Sequence, residues 1–182
     1  MNRALQQPIA QHLAVIAAGI LILFSRKPDL FLNPQFWAED GRNWYADAYN
    51  LGPIVSFLIP EAGYFQTYSR FVAAAAQIFP LASAPLFFNL TAVLLQASVA
   101  AFLVSDRSKL VLTDRRSRVA LAFLYLAMPH AWEVFGNLTN SQWHLALLVC
   151  LIFLSDLPST KLGKAFDIVV VTASALSGPF CL

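Results

Sequence analysis

The chain has 182 residues, of which 58% are hydrophobic and 12% charged, with a formal net charge of +2. Soluble domains carry roughly 25% charged residues, and residues 71–105 here contain no Asp, Glu, Lys or Arg at all. With a mean hydropathy of +0.62, this composition gives nucleic-acid binding no support and predicts an all-α integral membrane protein.

The first predicted span is Pro8–Ser25. Arg3 precedes it and "SRKPDLF" follows it in place of a small-residue cleavage site, so it reads as an uncleaved anchor. His12, inside it, is expected to pack between helices. A loop at 26–84 comes next, with two amphipathic helices expected in it, at Asp40–Leu51 and Gly63–Phe79. Arg70 lies near the middle of the second, and only nine uncharged residues separate it from Pro80. A guanidinium at the centre of a spanning helix costs roughly 2.5–3.5 kcal/mol to insert. A helix lying in the membrane plane avoids that cost by snorkelling, which is the expected arrangement.

Four further spans follow: Pro85–Val104, about Val119–Phe135 with Pro129 near its end, about Trp143–Ser155, and one starting near Ile168. Trp132, Trp143 and Phe166 sit where interfacial aromatics belong. The loop "SDRSKLVLTDRRSR" carries five basic residues against two acidic, which puts it in the cytoplasm together with Lys161 and Lys164. Counting back, the N-terminus is cytoplasmic, residues 26–84 are external, and Glu133–Gln142 is external too. A crossing helix at Gly63–Phe79 would break this alternation. Cys150 and Cys181 read as small core residues with no disulfide framework, and no internal repeat is evident.

The external loop opens with "FWAEDGRNWYADAY", an acidic pair among aromatics. An acidic pair soon after the first span, then two interfacial helices before the second, resembles the GT-C superfamily of membrane glycosyltransferases. "PQFWAEDG", "GYFQTYSRFVA" and "GNLTNSQWHLAL" are similar to a bacterial branch of multi-span glycosyltransferase-like proteins. The resemblance runs over residues 1–182 as a single transmembrane unit and implies the N-terminal part of a longer protein in the bacterial inner membrane. It implies transfer of a sugar from a polyprenyl-phosphate donor to an envelope acceptor, with membrane lipid as the other partner.

In that chemistry Asp40, with Glu39 beside it, is expected to face a cleft. There it deprotonates the acceptor hydroxyl or holds a divalent cation, the one cofactor the reading admits. Arg70 is the candidate for the donor phosphate, since its guanidinium forks onto phosphate oxygens. Tyr64, His130, Glu133, Asn140, Gln142, Trp143 and His144 are candidate substrate contacts around the same cleft. Each has a structural alternative: Asp40 as a helix cap, Arg70 snorkelling, Tyr64, His130, Glu133 and Trp143 as interface groups, Asn140 as a cap. Asn137-Leu-Thr139 also matches a glycosylation sequon. Two competing functions remain. A lipid or glycan transporter or flippase would place ionisable groups near mid-membrane, and a non-catalytic assembly subunit would need no accessible acid. Donor sugar, acceptor and oligomeric state are not encoded in any motif.

Overall fold

The computed structural model describes residues 3–131 and 133–179, which leaves Trp132 and Cys181 outside the described residues. Among them the secondary structure is helical throughout, apart from a single bridge between Glu61 and Tyr64. Helix α1 is Arg3–Arg26 and α2 a single turn, Asp29–Leu32. A π-helical turn, Asp40–Tyr45, runs directly into α3, Ala46–Leu51, and Gly52 (φ +87°) breaks the chain before α4, Pro53–Phe57. Then come α5 (Thr67–Ala76), α6 (Ala84–Val104), α7 (Arg115–Ala127), α8 (Ser141–Phe153) and α9 (Lys161–Ser177).

Helix α6 is central and packs on α1, α7 and α8, while α9 packs on α8 and α5. Small residues let α1 and α6 approach closely: a Cβ built on Gly19 would lie 3.3 Å from that of Ala97. The main core holds Leu23 of α1, Val93, Val99 and Leu103 of α6, Leu126 of α7, and Leu145, Leu148 and Ile152 of α8. A second core, with Trp44, Tyr45, Val72, Ala73, Phe88 and Leu138, joins the loop helices to the head of α6.

Long-range bonds fix which ends meet. Arg26 donates to the carbonyls of Leu126 (Nη1) and Met128 (Nη2, 2.6 Å), and Asn89 Nδ2 donates to Leu30 O at 2.9 Å. Thr67 and Tyr68 bond to Leu176 and Ser177. The C-terminal ends of α1, α7 and α9 therefore share one end of the bundle with the N-terminal part of α6. At the other end Arg107 grips Asp167. This is the alternating up-and-down order expected from the charge pattern.

Lengths differ from expectation. Only the helical run Leu81–Val104, 24 residues with mean hydropathy 1.9, is long and apolar enough among the described residues to cross a bilayer. Helices α7 and α8 have 13 residues each, about 20 Å at 1.5 Å per residue, against a hydrocarbon core of about 30 Å. The third expected span, Val119–Phe135, stops at Ala127 because Pro129 disfavours helical backbone at Met128 (ψ +122°). Residues 128–131 and 133–140 form an irregular segment instead. The expected helix at Gly63–Phe79 is likewise shortened to Thr67–Ala76, since Ala62 and Gly63 make a tight turn with positive φ. Cys150 is exposed, contrary to its expected place in the core.

Candidate functional site

The acidic pair sits where two irregular segments meet. Ala38 takes a left-handed backbone (φ +44°), which reverses the chain immediately before Glu39 and Asp40. Gly41 then allows the π-helical turn to close against Phe36, whose Cδ2 would lie 2.9 Å from any added Cβ. Asp40 N–H donates to Trp37 O at 2.8 Å. Its carboxylate turns inward, fully buried, and accepts from Thr139 Oγ1 at 2.7 Å and from Leu138 N–H at 3.3 Å. Burial pushes the Asp40 carboxyl up to about 6, with the bonds from Thr139 and Leu138 opposing that rise.

Thr139 Oγ1 also accepts from the Trp44 indole at 3.3 Å, and Ser69 Oγ donates to Leu138 O at 3.2 Å. Residues 40, 44 and 69 thus clasp the 138–139 backbone from two loop helices. The segment holds its own shape through Asn137, which donates to Glu133 O and accepts from Asn140 N–H, and through Asn140 Nδ2 on Glu133 O. Gly136 takes a left-handed backbone (φ +64°), and a Cβ there would overlap the Leu30 side chain unless that side chain moved.

Beside this clasp lies a cavity of about 240 Å³. One wall is Phe36 and Trp37, another Gly136 and Asn137, and the floor carries Asn89 and Leu30. Lys27, Asp29, Asn33 and Gln35 complete it. Lys27 Nζ stands 5.0 Å from the centre of a Trp37 ring. The cavity therefore combines a cation, an aromatic face, a carboxylate and four side-chain amides. Asp40 does not line it; through Trp37 O and Leu138 N it ties the two walls together from behind.

The expected site is accordingly redistributed. Asp40 lies, as expected, between the loop and the segment joining α7 to α8, but it is sealed there and faces no cleft. Nor does it cap its own helix. Glu39 is the accessible member of the pair, half-exposed and 3.9 Å from Arg42. Arg70, expected at headgroup depth, is wholly buried. Its Nη1 donates to Asp47 Oδ2 at 3.0 Å and its guanidinium lies 5.1 Å from the centre of a Trp44 ring, while Nε and Nη2 have no partner. It braces α5 on α3 and the π turn. Tyr64 closes the Glu61–Tyr64 turn. His130 and Glu133 are exposed on the 128–140 segment, with Glu133 contributing its carbonyl. Gln142 lies against Gly178, and Trp143 is exposed.

His144 belongs elsewhere. It is buried among the long helices, with Nδ1 2.7 Å from Tyr125 Oη and Nε2 2.8 Å from Val134 O and 2.7 Å from Gln96 Nε2. A cavity of about 60 Å³ adjoins these groups. As for a divalent cation, no three His, Cys, Asp or Glu side chains come together among the described residues, and both Asp40 oxygens are engaged by donors.

The residues missed in the sequence are Thr139, Asn137, Lys27, Trp37 and Asn89. Asn89 and Gln96 carried a readable signal, being amides within an otherwise apolar span. Set against protein-family models, curated proteins and solved structures, the chain has no match.

Proposed function

We propose that the chain is a membrane-embedded helical unit of GT-C-like glycosyltransferase type, and that the Lys27–Trp37 cavity receives the sugar phosphate of a polyprenyl-phosphate donor. Membrane insertion rests on the charge-free run 71–105, the apolar helix Leu81–Val104 and the alternating helix order. Exposed side chains on the short loop helices (Ile54 and Phe71) and just beyond them (Leu58 and Ile78) suit an interface with lipid.

The observation that carries the functional reading is the composition of the cavity. Lys27 supplies the point charge a phosphate oxygen needs, Trp37 a flat face for a sugar ring, and Asn33, Gln35 and Asn89 hydrogen-bonding groups for hydroxyls. Lys27 follows directly on α1, at the expected external surface, where a lipid-linked phosphate would lie. We assign the acceptor proton to Glu39, the half-exposed carboxylate two residues beyond Trp37 and outside the cavity lining. Asp40 is a positioning residue that keeps the cavity walls in register.

Binding tests this directly. The detergent-solubilised chain is titrated with a short-chain polyprenyl-phosphate sugar while tryptophan fluorescence is followed. Saturable binding that Lys27→Gln and Trp37→Ala each weaken at least tenfold, with helicity unchanged, supports the proposal. Equal binding by both variants and the wild type refutes it.

One observation favours a second reading. His144, Gln96 and Tyr125 form a polar cluster between long helices, the position where transporters keep ionisable groups. Substrate-dependent proton movement in vesicles that His144→Gln abolishes and Lys27→Gln spares would support transport over transfer.

A further inference from the structure

The end of the bundle opposite the cavity is built around residues 106–110, a short 3₁₀ turn after α6. Arg107 forks onto both oxygens of Asp167 at 2.7 and 2.8 Å, and its Nε donates to Asp156 O at 3.0 Å. Asp106, the preceding residue, accepts Lys109 at 3.2 Å and lies 3.8 Å from Arg118. Arg118 is itself buried, with Nη1 on Leu112 O at 3.2 Å. Two neighbouring residues therefore draw the start of α7 to one side of the turn and the start of α9 to the other.

This stapling consumes the local carboxylates. Asp106 and Asp167 are in ion pairs, and Asp114 caps α7 through Ser117 N–H at 2.8 Å. Asp156 remains exposed. Four exposed cations, Arg115, Arg116, Lys161 and Lys164, have no ion pair among the described residues. Three leucines near them in sequence also face solvent: Leu110 is 69%, Leu162 80% and Leu157 91% exposed. Cations interleaved with unburied leucines fit a leaflet of anionic phospholipid. The leucines enter the boundary between headgroups and acyl chains, and the cations meet headgroup phosphates.

We propose that this end is a seat for anionic phospholipid headgroups, held by Arg115, Arg116, Lys161 and Lys164. The inference rests on membrane insertion as proposed above and is independent of the glycosyl-transfer reading. The full chain is first reconstituted into phosphatidylcholine vesicles and washed with alkali; loss at that step refutes insertion, and this seat with it. The retained protein, in neutral detergent, is then titrated with short-chain phosphatidylglycerol, phosphatidylcholine or inorganic phosphate, and bound lipid is counted by native mass spectrometry.

Phosphatidylglycerol should bind more tightly than phosphatidylcholine, and added salt should weaken it. Each cation contributes about fivefold near an anionic surface, so Arg115→Gln with Arg116→Gln should weaken binding about 25-fold. The lysine versions, R115K with R116K, should restore it. The four-fold glutamine variant should lose the preference; if it fails to fold, the double variant and the wild-type salt series decide. Equal binding of the two lipids, an unchanged double variant, or displacement of the lipid by equimolar inorganic phosphate would overturn the proposal.

Discussion

Replacing Asp40 with Asn separates a buried clamp from a solvent-facing base. In the folded chain the Asp40 carboxyl is pushed up to about 6 from an ordinary 3.8, because burial outweighs the bonds from Thr139 and Leu138. That gap corresponds to about 3 kcal/mol. The sign follows from which state holds the proton. Between 3.8 and about 6 the folded chain keeps a proton that the unfolded chain has lost, so raising the pH through this window destabilises the fold. The contribution is fully present below 3.8 and lost above about 6. The asparagine side chain of the variant has no proton to lose, and its Oδ1 can still accept from Leu138 N–H while Nδ2 turns to Thr139 Oγ1. Unfolding of detergent-solubilised wild type and Asp40→Asn, followed by tryptophan fluorescence at several pH values from about 4 to 7.5, isolates the contribution, since every other titrating group is common to both. The wild type should lose about 2.5 kcal/mol relative to the variant across that range. At the alkaline end of the series the variant should be at least as stable as the wild type. Parallel profiles would refute the assignment of a buried, titrating carboxyl.

Further outcomes follow from other contacts at the same end. Glu39→Gln should change stability by less than about 1 kcal/mol, because its 3.9 Å pair with Arg42 is exposed. In sugar-transfer assays of a longer form it should nevertheless cost about 10²–10⁴-fold, whereas Asp40→Asn should not. Gly136→Ala should destabilise by at least about 2 kcal/mol in thermal unfolding, combining the left-handed backbone penalty with overpacking on Leu30. Asp47→Asn should cost about 3 kcal/mol by leaving the Arg70 guanidinium buried without a counter-charge, while Arg70→Met, which also removes the partnerless Nε and Nη2, should cost less; equal losses in chemical denaturation would contradict this.

On the proposed function, the cavity and its clamp separate residues that would recognise a ligand from residues that hold the walls. Lys27, Trp37 and the amides present groups to the cavity. Asp40, Thr139 and Trp44 behind it contribute rigidity, and Arg70 braces the helices that carry them. Polar groups satisfied inside a low-dielectric interior are strong constraints, which suits a role in fixing wall geometry.

What the sequence alone determined was local. Apolar runs placed α6 and α8 to within about two residues, whereas α1 starts at Arg3 instead of Pro8 and α9 runs Lys161–Ser177 instead of starting near Ile168. The "EDG" stretch marked the start of the π turn. The basic loop at 105–118 and the lysines at 161 and 164 led to the alternating helix order, because charge and apolarity act residue by residue. The acidic pair was legible as unusual, but its job was not. Asp40 meets Leu138 and Thr139 across nearly a hundred positions, and no local pattern states that its carboxylate turns inward while Glu39 turns out. Arg70 looked costly in lipid because its partners, Asp47 and Trp44, lie on another helix that only packing brings alongside. Pro129 ends α7 locally, but only tertiary structure decided that the segment after it packs on Leu30 of α2 and lines the cavity with Gly136 and Asn137. Burial of a polar group depends on every element around it, and that sum exists only once the chain has packed.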